Sequence, residues 1–289
     1  MHERRKISHK KVLAVVVSFN GRTKTRRAIE ALEGIVEHVL VVDNGSEKES
    51  LTHLAELERD RKISVVRLPE NRGIGHALNI GVSHARSVGC DWLLTLDQDS
   101  VVDSGMLDAY WRALDVHPEL VCLTPNYRKE THSASSALQT VEFAITSGNL
   151  TKLNLFDHVG LFDEAWFIDY VDVDFSLRVR SSGFQIWCIG DAKLLHEIGD
   201  KNATIPFSCK YYMKHPPLRR YYMYRNHLYL AQRYLMRYPM FIFKASIIQS
   251  ILLLLILLFE AERWQNIKYI LWGIFDFCSG RVGRFNRTP

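Results

Sequence analysis

The sequence has few cysteines, and none of them are spaced as a metal or redox motif. Its five cysteines are scattered along 289 residues without a CxxC pair, which indicates reduced thiols in a cytosolic chain and gives no support to a zinc site. No apolar segment follows the basic N-terminal residues, so we expect no secretory signal and a chain that stays in the cytoplasm. With 47% hydrophobic and 24% charged residues, the composition excludes a disordered chain and a polytopic membrane protein.

Long hydrophobic runs are also scarce. The run over residues 245–259 is fifteen residues long, with Ser246, Gln249 and Ser250 as its polar members. A transmembrane helix needs about 20 apolar residues, so the run favours an interfacial or re-entrant helix over a span. A core helix or an oligomer contact is the alternative. Because basic and aromatic residues flank the run, we predict membrane contact for the C-terminal region, residues 218–289.

The chain does contain an alternation of short apolar runs with stretches of helical periodicity. The apolar runs predict buried strands at 12–19, 36–42, 63–68 and 92–96, and the stretches between them predict helices at 23–32, 51–59 and 74–85. This pattern is typical of an α/β fold with a mainly parallel sheet flanked by helices. A further strand is predicted at 187–195, and the fold domain is predicted to extend over 1–217.

Three of the predicted strands end in polar, turn-forming clusters, at residues 18–21, 43–46 and 97–100. Ligands bind at the carboxyl ends of strands in open α/β sheets, so we expect the three clusters to face one crevice. Asp97 and Asp99 are separated by one residue and can approach the same cation, which predicts a site for Mg²⁺ or Mn²⁺ with open positions for phosphate. A solvated turn is the alternative.

Four segments together resemble the donor-binding half of family 2 glycosyltransferases, which have the GT-A fold. They are residues 17–20, 41–46, 71–75 with Asn79, and 97–99, and they occur in the family's order. The resemblance implies a metal at Asp97 and Asp99 and a nucleotide-sugar site in residues 1–103. That site would include Ser18, Asn20, Asp43, Asn71, Gly73 and Asp97, with Asp43 on the pyrimidine base. Taken singly, Asp43 also fits an ordinary Asx turn, and residues 71–73 fit a helix entry.

Residues 162–178 resemble the acceptor-side motif of the same family, within the predicted catalytic half at 140–200. Asp172 stands at the place of the general base, and Val171 replaces the glutamate that many members carry before it. A helix that begins near Tyr170 would place Asp169 and Asp172 on one side and Asp174 on another. Asp169 is therefore the second candidate for the base. A helix N-terminus would keep Asp172 ionised.

The sequences of residues 167–172 and 97–100 resemble those of the rhamnosyltransferase branch of the family, whose donor is dTDP-L-rhamnose. Residues 195–200 resemble this branch too, which makes His196 a candidate metal or diphosphate ligand, with a structural histidine as the alternative. Arg219 and Arg225, in the aromatic stretch 218–226, are candidates for gripping the diphosphate. A basic helix on acidic lipid is compatible with this role, and nucleic acid is the less favoured partner.

The resemblance implies an inverting glycosyltransferase in bacterial cell-surface polysaccharide synthesis. It would transfer L-rhamnose from dTDP-β-L-rhamnose to a lipid-linked saccharide at the inner face of the cytoplasmic membrane, with Mg²⁺ or Mn²⁺ as cofactor. A UDP-sugar is the nearest alternative donor. A nucleotidyltransferase and a non-catalytic nucleotide-binding membrane scaffold are more distant alternatives, since neither explains residues 162–178. A processive synthase would need several spans and a Gln-x-x-Arg-Trp motif. The oligomeric state stays open.

Overall fold

A computed structural model describes residues 11–127, 138–196 and 214–287. These residues divide into two compact units. The first unit comprises residues 11–127, 138–164 and 172–196, and the second comprises 165–171 and 214–287. The domain boundary at 217 stays a prediction, and the short segment 165–171 clusters with the C-terminal helices.

The first unit begins with strands and helices that alternate as predicted. They are β1 (Val12–Ser18), α1 (Thr23–Glu30), β2 (His38–Asp43), α2 (Lys48–Leu57), β3 (Ile63–Arg67), α3 (Ile74–Ser87) and β4 (Trp92–Asp97). After these come β5 (Ser100–Val102), α4 (Met106–Val116), β6 (Cys122–Asn126), β7 (Leu138–Val141), β8 (Asn149–Lys152), α5 (Leu155–Val159), α6 (Val171–Ser181) and β9 (Ile186–His196). All seven elements expected between residues 12 and 97 are confirmed, each with small shifts at its ends.

Among the described residues, the sheet has nine strands in the order β3-β2-β1-β4-β8-β6-β9-β5, with β7 paired to β9. Strands β1 to β4 pair in parallel. The apolar side chains of β1, β2 and β4 are buried on both faces, which explains why these strands appear as continuous hydrophobic runs, whereas the edge strand β3 is only partly buried. Four of the eight pairings, β4–β8, β6–β8, β5–β9 and β7–β9, are antiparallel. The sheet is therefore mixed, and the expectation of a mainly parallel sheet holds only for its first half.

The second unit contains the helices α7 (Pro217–Tyr234), α8 (Pro239–Phe259) and α9 (Arg263–Cys278). Both α7 and α8 carry proline in the first turn, where its missing N–H has no helical partner to lose. Tyrosines of α7 and α9 form a buried aromatic cluster. A buried ion pair joins Arg220 to Glu260, with Nη2 and Oε1 2.9 Å apart. Such a pair is stable inside a protein only when both charges are hydrogen-bonded.

Helix α8 is longer than the apolar run suggested. It has 21 residues and a mean hydropathy of 2.4, so by length and composition it could cross a membrane. The premise that the run is too short to span was wrong, because the helix begins at Pro239 and not near Ala245. At about 1.5 Å per residue, the helix is about as long as the hydrocarbon core of a bilayer is thick.

Candidate active site

The carboxyl ends of β1, β2 and β4 lie side by side. Parallel register aligns Ser18 of β1 with Asp43 of β2, and Val17 of β1 with Asp97 of β4. The polar clusters that follow these strands therefore meet at one edge of the sheet, and the crevice that they were expected to face stays a prediction.

Hydrogen bonds tie the three clusters together. The N–H of Asn20 donates to Ser46 Oγ at 2.8 Å, and Asn20 Oδ1 accepts from the N–H of Glu47 at 2.9 Å. Gln98 Oε1 accepts from the N–H of Phe19 at 2.8 Å. Asn20 has a φ of 54°, in the left-handed region that asparagine tolerates better than most residues. The loop after β1 is thus fixed by both neighbouring loops.

Ser18 and Asp43, both predicted to bind the nucleotide sugar, are buried. Ser18 Oγ lies 2.9 Å from Thr25 Oγ1. The Asp43 carboxylate accepts from the N–H of Ser46 at 3.2 Å and from the Ser46 hydroxyl. This is the Asx turn that was the alternative for Asp43. A carboxylate can accept about four hydrogen bonds, so these two bonds leave acceptor sites for a pyrimidine base. Base recognition by Asp43 stays a prediction.

Asn71 and Gly73 form the entry to α3. Asn71 Oδ1 accepts from the N–H of Gly73 at 2.9 Å, and Gly73, with a φ of 89°, directly precedes the helix. Asn44 Oδ1 accepts from the N–H of Arg72 at 3.0 Å, which holds this segment against the loop after β2. The structure thus shows the helix entry, and a contact with the donor stays a prediction for both residues.

Gly45 marks the closest approach of these two loops. Its φ is 80°, and a Cβ at this position would lie 2.3 Å from the carbonyl carbon of Glu70 and 2.5 Å from the nitrogen of Asn71. We expect Gly45→Ala to lower the free energy of unfolding by about 3–4 kcal/mol, since backbone strain adds to overlap with main-chain atoms. Denaturant unfolding measures this loss.

Gly89→Ala is the matched control, because Gly89 has a φ of 69° but nothing within 4 Å of its added Cβ. Its free energy of unfolding should fall by only about 1–2 kcal/mol, the cost of a left-handed backbone for a residue with a Cβ. Equal losses in the two variants would contradict a tight packing between the loops.

The acidic pair lies at the centre of this edge. Asp97 ends β4, Asp99 precedes β5, and both are partly exposed. The N–H of Asp97 donates to Ser147 Oγ at 3.2 Å, and Ser147 donates in turn to Ser100 Oγ at 2.5 Å. These two buried serines fix the backbone at both ends of the pair.

The donor set of the acidic pair fits Mg²⁺ or Mn²⁺, which bind through one or two carboxylates and keep positions for substrate phosphates. Over residues 11–127, 138–195 and 214–287, no group of three His, Cys, Asp or Glu side chains could hold a metal. The backbone of His196 pairs with Ser100, beside the acidic pair. Its side chain lies outside the described residues, so its role as a ligand stays a prediction.

Asp172 lies in the first turn of α6, partly exposed, and its Oδ1 accepts from the N–H of Val173 at 2.9 Å. The positive end of the helix favours a charged carboxylate there. Burial raises the pKa of Tyr127, a hydrogen bond with Thr124 opposes this rise, and the negative charges of Asp97 and Asp172 add to it. The carboxylates of the candidate metal ligand and the candidate base thus both raise the pKa of one partly buried tyrosine.

Tyr127, which directly follows β6, was not among the predicted site residues. Its hydroxyl donates to the carbonyl oxygen of Ser147 at 2.6 Å, the same serine that receives the N–H of Asp97. The sequence feature that could have indicated Tyr127 is a polar aromatic residue directly after a buried strand. Gln98 and Ser147 were missed as well, because their roles depend on partners far away in the chain.

The comparison with protein families identifies this arrangement. Residues 13–168 match the family model described as Glycosyl transferase family 2, which is more than half of the chain. The chain belongs to glycosyl transferase family 2. It is therefore a glycosyltransferase, as the four donor-side segments predicted.

Two curated relatives of this family 2 chain are similar to it along most of its length. The dTDP-rhamnosyl transferase RfbF of Shigella flexneri is 29% identical over 243 residues, which cover 77% of this chain and 80% of that protein. The galactofuranosyltransferase GlfT1 of Mycolicibacterium smegmatis is 23% identical over 255 residues, which cover 77% of this chain and 83% of that protein.

Solved structures similar to this family 2 chain confirm the GT-A fold. Residues 1–349 of S. aureus TarS, in complex with UDP-GlcNAc, give a TM-score of 0.55 at 16% identity, covering 92% of this chain and 80% of that one. The mannosyltransferase PcManGT from Pyrobaculum calidifontis, in complex with GDP-Man and Mn²⁺, gives 0.58 at 14% identity, covering 93% and 87%. At these identities the likeness concerns the fold alone.

The two carboxylates on either side of the candidate base Asp172 in the sequence, Asp169 and Asp174, have ion-pair partners. Asp174 is fully buried and accepts from Arg178 Nε at 2.9 Å. In the second unit, Asp169 accepts from Arg219 Nη2 at 2.9 Å. Asp169 does not share a helical face with Asp172, because α6 begins at Val171 and Asp169 has a φ of 59°, outside the helix. Its role as the second candidate base stays a prediction.

The two arginines predicted to grip the diphosphate have different environments. Arg219 is exposed, so its contact with phosphate stays a prediction. Arg225 is 1% exposed, and its guanidinium donates to protein acceptors. These are Asn226 Oδ1 at 2.9 Å, the Tyr221 hydroxyl at 3.1 Å, and the carbonyl oxygens of Gly283 at 2.7 Å and Trp166 at 3.4 Å. Its burial and these bonds contradict the predicted phosphate contact of Arg225.

Proposed function

We propose that this glycosyltransferase transfers L-rhamnose from dTDP-β-L-rhamnose to a saccharide acceptor with inversion at the anomeric carbon. The observation that carries the proposal is that β4 ends at the acidic pair Asp97 and Asp99, in a chain whose residues 13–168 match glycosyl transferase family 2. Both Asp97 and Asp172 add to the rise in the pKa of Tyr127, which supports a site that uses the two carboxylates together. The likeness to a dTDP-rhamnosyl transferase at 29% identity supports rhamnose as the sugar.

The mechanism assigns one role to each carboxylate. A divalent cation held by Asp97 and Asp99 would supply charge neutralisation to the departing diphosphate. Asp172 accepts the proton of the acceptor hydroxyl while that oxygen bonds to the anomeric carbon and the bond to the diphosphate breaks. The products are dTDP and, because one displacement inverts the carbon, an α-L-rhamnoside. The N-terminus of α6 places positive partial charge beside the Asp172 carboxylate.

A UDP-sugar donor is the second candidate, supported by the likeness to the galactofuranosyltransferase GlfT1. The deciding experiment incubates the protein with Mn²⁺ and either dTDP-β-L-rhamnose, UDP-galactofuranose, UDP-GlcNAc or GDP-mannose. Nucleotide release is measured with water or an octyl glycoside as acceptor, and donor binding by the shift in melting temperature. We expect dTDP-rhamnose to give the fastest release. Faster release from a UDP-sugar would overturn the choice of donor.

We further propose that the second unit docks on the acidic inner face of the cytoplasmic membrane, where a lipid-linked acceptor would reside. One face of α8 is exposed and apolar, with residues three or four apart: Met240, Phe243, Ile247, Ile251, Leu254 and Leu258. Trp264, Leu271 and Phe275 of α9 are exposed too. The exposed basic residues Arg237, Lys244, Arg263 and Lys268 flank these faces and complement anionic lipid.

The opposite face of α8 supports docking in the membrane interface over a crossing of the bilayer. Ile242, Gln249, Leu252 and Ile256 are buried on that face. Gln249 Nε2 donates to the Tyr170 hydroxyl at 2.9 Å, and Ser246 Oγ lies 2.9 Å from His227 Nε2. A spanning helix would have to give up these polar contacts or bury them in lipid, where unsatisfied polar groups are costly.

We expect the double variant Leu254→Glu with Leu258→Glu to reduce binding to phosphatidylcholine–phosphatidylglycerol vesicles at least tenfold, since each leucine contributes about 1.5–3 kcal/mol on burial. Co-sedimentation measures the bound fraction. The matched control is Val88→Glu with Val116→Glu, two exposed valines of the first unit, which should bind normally. Unchanged binding of the leucine variant would refute the docking face, and a fall in molecular mass alone would assign that face to an oligomer contact.

A further inference from the structure

The segment 165–171 has an unusual backbone. Phe167, Asp169 and Tyr170 have φ values of 64°, 59° and 66°. Residues other than glycine rarely adopt this left-handed region, and bulky aromatic residues do so least. Three such residues within four positions persist only where the surroundings hold them. This strained segment ends at Val171, directly before Asp172.

Asn226 of α7 is placed to hold this backbone. It is fully buried, and its Nδ2 donates to the carbonyl oxygens of Trp166 at 2.9 Å, Ile168 at 2.8 Å and Asp169 at 3.2 Å. An amide nitrogen has two hydrogens, so one contact is shared. The main-chain oxygens of a strained turn thus converge on one side chain.

Neighbouring groups fix the amide of Asn226. Its Oδ1 accepts from Arg225 Nε at 2.9 Å, which determines the side of the amide that carries the hydrogens. The Arg225 guanidinium lies 5.1 Å from the ring centre of Tyr221 and 5.0 Å from that of Tyr222, where cation–π attraction holds it. Tyr222 also stacks on Phe167, with ring centres 5.1 Å apart. Arg225 therefore has a supporting role in place of the phosphate contact expected from the sequence.

We propose that Asn226 is a positioning residue for sugar transfer: it fixes the backbone on the N-terminal side of Asp172 and acts on the reaction through Asp172 alone. The inference rests on the proposed role of Asp172 as base. Only Tyr170 and Val171 separate the clamped carbonyl of Asp169 from Asp172, so loss of the clamp releases the chain next to the base. Misplacement of a reacting group by about 1 Å can lower a rate about a hundredfold.

The first test compares Asn226→Ala with Asn266→Ala. Asn266 is a second buried asparagine of the same unit, and its Nδ2 donates to Glu260, so both variants remove a buried amide but only one touches the clamp. Hydrogen exchange at residues 166–173 should accelerate in Asn226→Ala and stay unchanged in Asn266→Ala. Equal exchange in the two variants would overturn the clamp without any reference to activity.

The second test measures transfer, as dTDP released from dTDP-β-L-rhamnose with Mn²⁺ and water or octyl α-L-rhamnoside as acceptor. Asn226→Ala should lower kcat by about 30- to 100-fold and leave the donor Kd within about threefold, whereas Asn266→Ala should keep kcat per folded molecule. In the Asp172→Asn background, Asn226→Ala should have no further effect, because both changes remove the same contribution.

The outcomes separate the two proposals. The positioning role would be overturned if kcat of the double variant fell by the product of the two single-variant losses. Weaker donor binding by Asn226→Ala without a fall in kcat would overturn it too. Normal transfer by Asp172→Asn would overturn both the base and the positioning role. Turnover of another nucleotide sugar in place of dTDP-rhamnose corrects only the donor, and the same variants are then compared with that donor.

Discussion

Asp172→Asn should lower the rate of sugar transfer by about 10²- to 10⁴-fold, the usual contribution of a general base, and leave donor affinity unchanged. Asparagine keeps the size of the side chain and an oxygen that can accept from the N–H of Val173. It loses the negative charge that takes the proton of the acceptor hydroxyl. Nucleotide release at saturating donor gives the rate, and calorimetry gives the donor Kd.

Asp174→Asn is the matched control in the same helical turn. Asp174 is buried and pairs with Arg178, so its replacement leaves a partly buried arginine without its ionic partner. This should lower the free energy of unfolding by about 1–3 kcal/mol and leave transfer per folded molecule near normal. A loss of transfer equal to that of Asp172→Asn would show that both effects come from damage to α6.

Asp169→Asn tests the competing base. Asp169 is held by Arg219 in the second unit, and its neutral replacement weakens that ion pair. We expect a smaller loss of transfer than for Asp172→Asn. If Asp169→Asn loses transfer with intact donor binding while Asp172→Asn retains it, the base is Asp169.

The first half of the fold was predictable because three of its four strands, β1, β2 and β4, are buried on both faces. Strands β1 and β2 consist of apolar residues over most of their length, and polar turns end them, so both limits are visible in the sequence. The antiparallel strands β5, β7 and β8 have only three or four residues. Strands of that length have too few residues to show the alternation of apolar and polar side chains that predicts a strand. They can be recognised only by the neighbouring strands to which they are hydrogen-bonded.

The candidate site was predictable at the ends of strands and unpredictable where partners come from distant segments. Asp97 and Asp99 follow a buried strand, and parallel pairing places them beside the other clusters. Arg225 lies in a stretch of basic and aromatic residues. Such a composition occurs on protein surfaces and in cores, so it does not predict whether Arg225 is buried. Its burial depends on Tyr221, Tyr222 and Gly283, and the left-handed backbone of Asp169 depends on the amide of Asn226.

Asp97→Asn and Asp99→Asn should each abolish the metal dependence of donor binding. Two carboxylates on one cation contribute charge as well as oxygen ligands, and an amide supplies only a neutral oxygen. The wild type should bind dTDP-β-L-rhamnose at least about a hundredfold more tightly with Mn²⁺ than with EDTA, since a metal contributes several kcal/mol to the binding of charged phosphates. In each variant the two affinities should differ by less than about threefold.

The fold should survive both substitutions. Asp97 and Asp99 are partly exposed, and the bond from the N–H of Asp97 to Ser147 belongs to the backbone, so it is kept in the variants. Like charges that share a site repel each other when no cation is bound, so removal of one charge should not lower the melting temperature measured in EDTA. A large fall would instead assign the pair a structural role.

Asp103→Asn is the matched control for the acidic pair. Asp103 is an exposed carboxylate one residue beyond β5, and its Oδ1 accepts from the N–H of Gly105 at 3.0 Å. Its replacement removes one negative charge near the same edge of the sheet without touching the pair. Donor affinity in this variant should keep its full dependence on Mn²⁺. If all three variants lose that dependence, net charge governs donor binding. If none does, the metal lies elsewhere, and Asp97 and Asp99 form an ordinary turn.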